Sequence, residues 1–183
     1  MNILFISIAW PATGNRNLYS DLMDEFVTRG HRVHVAATRY DKGDGREEPC
    51  EENGIRVLRI HSGKIMKTSY LKKAITLFTL GGKMRRAIHR AYGKEDYDLI
   101  IAPTPPITLS ILYRKLKRSY RAPFYLLLKD IWPQGSLDHQ VFRKYSIPWF
   151  YFRTHEKRLY RVANHIGTMS PKGADYIRRH NPY

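Results

Sequence analysis

Six runs of strand length punctuate the chain: residues 2–10 (NILFISIAW), 31–39 (HRVHVAATR), 55–62 (IRVLRIHS), 97–104 (YDLIIAPT), 124–132 (FYLLLKDIW) and 163–170 (ANHIGTMS). Between them the apolar positions recur at helical spacing. In NRNLYSDLMDEFVTRG, Leu18, Leu22, Met23 and Phe26 make one such stripe, and Gly30 stands where the helix should stop. Further helices are expected over 68–92, 106–119, 148–162 and 171–180, with Gly81-Gly82 a possible break in the first of these. Alternation of strand and helix predicts an α/β domain built on a parallel sheet. The first and fifth runs, apolar almost throughout, read as central strands covered on both faces.

The stretch over 40–53, YDKGDGREEPCEEN, concentrates acid, glycine and proline. It reads as a solvated loop, because its carboxylates lack the spacing of an EF-hand. A single His and a single Asp in Asp138-His139-Gln140 make no metal site either. No metal and no cofactor is expected.

Composition adds a size, a compartment and a charge. With 183 residues, 43% of them hydrophobic, the chain fits one domain with a sizeable core. Cys50 is the only cysteine, so no intrachain disulfide can form, and a reducing compartment is the natural reading. MNILFISIAW has neither the basic start nor the cleavage site of a signal peptide. No apolar run approaches the roughly 18 residues of a membrane span. These features predict a cytoplasmic protein, soluble or peripheral on a membrane. Its net charge of +16, from 32 basic and 16 acidic residues, calls for anionic partners: nucleic acid, lipid headgroups or phosphorylated small molecules.

Three strand ends carry candidate chemistry. After the first strand, Gly14 in WPATGNRN either serves a tight turn or lets backbone amides approach a phosphate at the next helix. The pattern is neither G-x-G-x-x-G nor a P-loop, which disfavours an NAD-dependent oxidoreductase. After the fourth, Pro105 and Pro106 end the pairing, and Thr104 either caps a helix or meets a ligand. After the fifth, Asp130 either caps the next element, pairs with Lys129 or a nearby Arg, or binds a ligand, with Trp132 offering a flat apolar surface beside it. Ligands of open α/β sheets bind outside such carboxyl ends.

The basic charge is unevenly placed. From Asn53 to Lys94 there is no acid at all, and Lys72, Thr76, Thr79, Lys83, Arg86 and Arg90 fall on one helical stripe. Leu71, Ile75, Phe78, Met84, Ile88 and Ala91 take the other side. Such a helix either lies on an anionic membrane or buries its apolar face in the domain. Trp149 to Phe152, beside Arg153, Lys157, Arg158 and Arg161, suit a membrane interface, single-stranded nucleic acid or core packing. No nucleic-acid-binding motif is present, so a basic nucleic-acid-binding domain is the weaker alternative.

Taken in order, MNILFIS…P..G, VTRGHRVHVAATR, YDLIIAPTPPITL, LLLKDIWPQ and HEKRLYRVANHIGTMS resemble the N-terminal half of a GT-B glycosyltransferase of family 4, the large retaining group, over almost the whole chain. The TPPITL and DIWP stretches are most similar to the branch that builds bacterial surface polysaccharides, including the fucosamine transferase type. The resemblance implies a Rossmann-like, doubly wound, mainly parallel sheet forming one half of a GT-B fold. Residues 1–183 would then be an acceptor-binding domain, its donor-binding partner domain and paired-glutamate motif absent from the chain, and unable to transfer sugar alone. The full enzyme would move a sugar from a nucleotide sugar to a lipid-linked polyprenyl diphosphate saccharide, with retention, at the inner face of the cell membrane.

Residue by residue, Gly14 and Asn15 match the turn at the donor diphosphate. Thr104, Asp130 and Trp132 fall on the acceptor side, with Asp130 the candidate general base. Lys72, Lys73, Lys83, Arg86 and Arg90 would meet anionic lipid. Two departures stand out: Asn15 replaces the usual second glycine, and Gln134-Gly135 follow DIWP where Glu-Ser is expected.

Overall fold

A computed structural model describes residues 1–39, 47–62, 70–138 and 140–181, with backbone alone for 70–78, Ser136 and Asp138. Seven strands form one sheet: β1 (Asn2–Ser7), β2 (Arg32–Arg39), β3 (Pro49–Glu52), β4 (Ile55–His61), β5 (Leu99–Pro103), β6 (Phe124–Leu128) and β7 (His165–Thr168). Their order is β3-β4-β2-β1-β5-β6-β7, parallel throughout except for β3, which runs antiparallel to β4 at the edge. Without β3 this is the doubly wound order. Strand order reverses between β1 and β5, so a crevice opens above their carboxyl ends.

Each central strand sends alternate residues to two cores. Ile3 and Phe5 of β1 join Val33, Val35, Val57 and Met23 under α1 (Leu18–Thr28). Leu4 and Ile6 point the other way. They join Leu58, Ile60, Ile100 and Leu126 beneath α2 (Tyr70–Tyr92), α3 (Ser110–Tyr120) and α5 (Ile147–Val162). A short 3-10 turn over Ile107–Leu109 leads into α3, and α6 (Pro171–His180) follows β7.

Four expectations need correction. Residues 49–52 belong to β3 rather than to a solvated loop, because Asn53 and Gly54 take φ of +51° and +77°, the left-handed pair that closes a two-residue hairpin. The 40–46 part of that loop lies outside the described residues. Helix α2 runs unbroken through Gly81-Gly82, since a helix tolerates glycine at a cost near 1 kcal/mol each rather than by breaking. Residues 134–138 form a further short helix, α4 (Gln134–Asp138), that no periodicity announces. Leu18 is exposed, so the α1 stripe that enters the core is carried by Met23, with Leu22 and Phe26 flanking it.

Candidate active site at the carboxyl edge of the sheet

The crevice is built from three loops leaving β1, β5 and β6. All three are braced by side chains. The Ser7 hydroxyl donates to the Ala9 carbonyl at 2.8 Å and accepts from the Ala9 N–H at 3.0 Å, while Thr38 Oγ1 donates to the Ile8 carbonyl. Thr104 braces the other pair. Its N–H donates to the Leu127 carbonyl at 3.0 Å and its hydroxyl accepts from the Lys129 N–H at 3.1 Å, with the residue buried. Thr104 is therefore not a helix cap: Pro106 holds that position and no side chain bonds there. It fixes the ends of β5 and β6 against each other.

Asp130, released at the end of β6, is exposed and makes no hydrogen bond or ion pair among the described residues. Neither the capping role nor the Lys129 pairing is seen. Its charge is felt by Tyr19 in the first turn of α1, whose phenol is raised above its ordinary value first by burial and then by Asp130. Tyr19 thus stays a neutral O–H donor. The phenol ring packs against Phe5 with ring centres 5.7 Å apart, and Trp10 also packs on Phe5 at 6.0 Å. A donor, an acceptor and half-buried aromatic rings at one edge suit a polar ligand with hydroxyl groups on a flat apolar face.

Trp132 falls on the opposite side of the sheet edge. It is half-buried, edge-on to Phe152 at 5.5 Å and Phe142 at 6.4 Å, so much of its surface is spent on packing α5. The structure therefore separates Asp130 and Trp132. The charge of Asp130 reaches Tyr19 instead, a residue that sequence reasoning missed: an aromatic residue two places after the cap of a helix carries no signal of its own.

The turn at Gly14 is as expected, the amides are not. Asn15 N–H donates to the Ala12 carbonyl at 2.9 Å, and Gly14 takes φ of +86°, which glycine alone adopts freely. At the following helix, however, Asn17 Oδ1 accepts from the N–H groups of Tyr19 and Ser20, and Ser20 Oγ accepts from the Asn17 N–H. This capping box fills the place a phosphate would take. The adjoining cavity, about 360 Å³ between residues 10–16 and the β3–β4 turn, is bordered by Asp24, Glu51 and Glu52, with Arg16 already paired to Asp21 and Asp24. Gly14 and Asn15 therefore offer a diphosphate little charge within this domain.

The basic stripe divides in two. Lys83, Arg86 and Arg90 are exposed, while the side chains of Lys72, Lys73 and Thr76 lie outside the described residues. The apolar side of α2 is not free for a membrane: Leu80, Met84, Ala87, Ile88 and Tyr92 are buried in the core. Exposed apolar surface sits instead on and before α5, where Tyr145, Ile147, Phe150 and Tyr151 are all 47% or more accessible and Tyr145, Trp149 and Phe150 touch ring to ring. Within the stretch RTHEKRLYR, Glu156 is fully buried against Arg153, which also donates to the His180 carbonyl. That stretch ties α5 to α6. The Asp138 side chain and His139 lie outside the described residues, and no group of three metal-ligating side chains occurs among those that are described.

A doubly wound sheet that reverses strand order between β1 and β5 defines a Rossmann-like α/β domain. The family described as "Glycosyl transferase 4-like domain" matches residues 14–183, and the chain belongs to it. No curated protein matches the chain in sequence. Among solved structures it is similar to the sucrose-phosphate synthase of Thermosynechococcus elongatus, with a TM-score of 0.67 at 19% identity over 98% of this chain and 45% of that one. It is also similar to Arabidopsis thaliana UGT89C1 complexed with UDP, with a TM-score of 0.59 at 15% identity over 98% and 49% of the two chains. A third likeness is to an E. coli trehalose-6-phosphate structure bound with UDP-2-fluoro glucose, with a TM-score of 0.58 at 8% identity over 93% and 40%. The chain spans about half or less of the length of each. Among the described residues, no helix is long and apolar enough to cross a membrane.

Proposed function

We propose that this chain is the acceptor-binding half of a retaining glycosyltransferase that moves a sugar from a nucleotide sugar to a lipid-linked polyprenyl diphosphate saccharide in surface polysaccharide synthesis. The observation that carries the acceptor assignment is the exposed carboxylate side chain of Asp130, without a hydrogen bond or ion pair among the described residues, at the carboxyl edge of the sheet where its charge reaches the half-buried phenol of Tyr19. An acceptor sugar laid there has a donor for one hydroxyl and, in Asp130, a base for the hydroxyl that attacks. The nucleotide sugar is held by a second domain, in line with the filled helix cap near Gly14 and Asn15 and with the UDP that the longer relatives carry.

The lipid side of the reading rests on surface. Lys83, Arg86 and Arg90 on α2 and the exposed aromatics of α5 give a peripheral contact with the inner face of the membrane, each nearby cation worth about 1 kcal/mol toward anionic lipid. No cofactor is assigned a part, and nucleic acid is not a partner. Joined to a donor domain, the enzyme is expected to glycosylate a polyprenyl diphosphate saccharide, and Asp130→Asn to lower kcat by about 10²–10⁴. Unchanged turnover in Asp130→Asn removes the base. Residues 1–183 alone should transfer nothing, and should bind vesicles containing anionic lipid better than neutral ones; equal binding would end the membrane reading.

A further inference from the structure

Two consecutive glycines in the middle of a helix call for a reason. Gly81 and Gly82 lie inside α2, in ordinary helical backbone, where each costs stability relative to alanine. Packing does not demand them. A Cβ on Gly81 would meet Leu109 Cδ2 at 3.6 Å and Leu112 Cβ at 3.8 Å, which is ordinary contact, and one on Gly82 would meet nothing within 4 Å. What their missing side chains leave is a groove of about 350 Å³ between α2, α3 and α5.

The groove has an apolar interior and a cationic rim. Leu109, Leu112 and Phe152 line it, and Ile111 and Tyr151 extend it outward as half-exposed surface. Arg85 and Lys115 stand exposed at its edge, and no carboxylate is among its lining residues. Two polar atoms bordering it, Thr108 Oγ1 and His155 Nδ1, are buried without a hydrogen-bond partner among the described residues. The volume lies at the low end for a ligand site, enough for part of a molecule. Its cations and the net charge of +16 oppose a second copy of the same chain.

We infer that this groove holds the aliphatic chain of an amphiphile whose anionic head sits at Arg85 and Lys115. Building on the lipid-linked acceptor proposed above, the occupant is the stretch of polyprenyl chain nearest the acceptor's diphosphate. The groove then selects that lipid, while the Asp130 edge selects the sugar.

Soluble alkyl phosphates of increasing chain length, kept below their micelle concentrations, test this on residues 1–183. Affinity should climb about fourfold per methylene until the groove is filled and then level off. Inorganic phosphate should bind weakly, and the matching alcohols at least tenfold more weakly than the phosphates. Arg85→Ala with Lys115→Ala should erase that preference. Gly82→Leu puts a side chain into open space that no part of the fold occupies, and should weaken the long-chain phosphates at least tenfold; Gly82→Ala is the folded control. Affinity independent of chain length, or undiminished in Gly82→Leu, overturns the inference. Anionic vesicles separate the two lipid sources: Gly82→Leu should bind them as the parent does, and a parallel loss would assign the groove to bilayer lipid instead. A groove that passes these tests in an enzyme that cannot use polyprenyl acceptors would sink the proposed function and leave the groove standing.

Discussion

Replacing both Gly81 and Gly82 by alanine should stabilise the protein, and the size of the gain can be worked from the helix itself. A glycine in a helix interior costs about 0.5–1 kcal/mol relative to alanine, because its unfolded backbone has more freedom to lose. That gain survives only where the added methyl fits. At Gly82 the methyl meets nothing within 4 Å, and at Gly81 its nearest neighbours, both on Leu109 and Leu112, stand at van der Waals distance. Neither backbone is in the left-handed region, so no strain offsets the gain. The two substitutions together should therefore add about 1–2 kcal/mol. For a chain of this size each kcal/mol moves Tm by about 2–4 °C. Thermal and urea unfolding of the parent and the double variant read the difference directly. A double variant that melts at or below the parent temperature refutes the reasoning, because it would show that α2 and α3 need the glycines to approach each other.

Three further outcomes follow from single contacts. A Cβ at Gly167 of β7 would crowd the Tyr125 hydroxyl and lie 2.9 Å from two of its ring carbons, so Gly167→Ala should cost about 1–3 kcal/mol, relieved when Tyr125 is also cut to Ala; additive losses in unfolding would show that the ring is not the obstacle. Arg121 ends α3 in the left-handed conformation, φ +52° and ψ +28°, so Arg121→Gly should raise stability by about 1 kcal/mol, and a lower Tm would mean the arginine side chain more than offsets its backbone cost. His34 is buried, its Nδ1 2.7 Å from the Tyr97 hydroxyl, and burial, then the charge of Arg56, holds its pKa below the ordinary value of about 6.5. As pH falls below that value the unfolded chain takes up a proton before the folded one does, so stability present above about 6.5 is lost toward the depressed value. His34→Gln should flatten that part of the acid limb, with His155, shifted the same way by burial and Arg158, keeping a share; parallel curves would refute it.

The parts of the fold that were legible are those where one physical signal dominates. Strands β1, β2 and β5 announced themselves as apolar runs because they are buried on both faces, and the stop after α1 fell at Gly30, whose φ is +81°. The hairpin at β3 was hidden by its own composition: Glu51 and Glu52 sit at the sheet edge, where acids are tolerated, and only the Asn53-Gly54 pair in ENGI could have revealed it. On α2 the apolar stripe was legible but its partner was not. Periodicity identifies a face and is silent on whether a membrane or the domain's own Leu58 and Ile60 lie against it.

The site obeys the same limit. Strand ends place Thr104, Asp130 and Trp132 at one edge of the sheet, yet the strand stops at Leu128, Asp130 is left exposed while Trp132 packs against Phe152 of α5, and the braced loop ends bury Thr104. Which residue faces Asp130 depends on how α1 crosses the sheet, a relation between segments more than a hundred residues apart that no local pattern encodes. A site read from motifs is therefore a set of addresses, and the charge of Asp130 reaches Tyr19 only once folding has packed Tyr19 of α1 and Leu127 of β6 onto the same core.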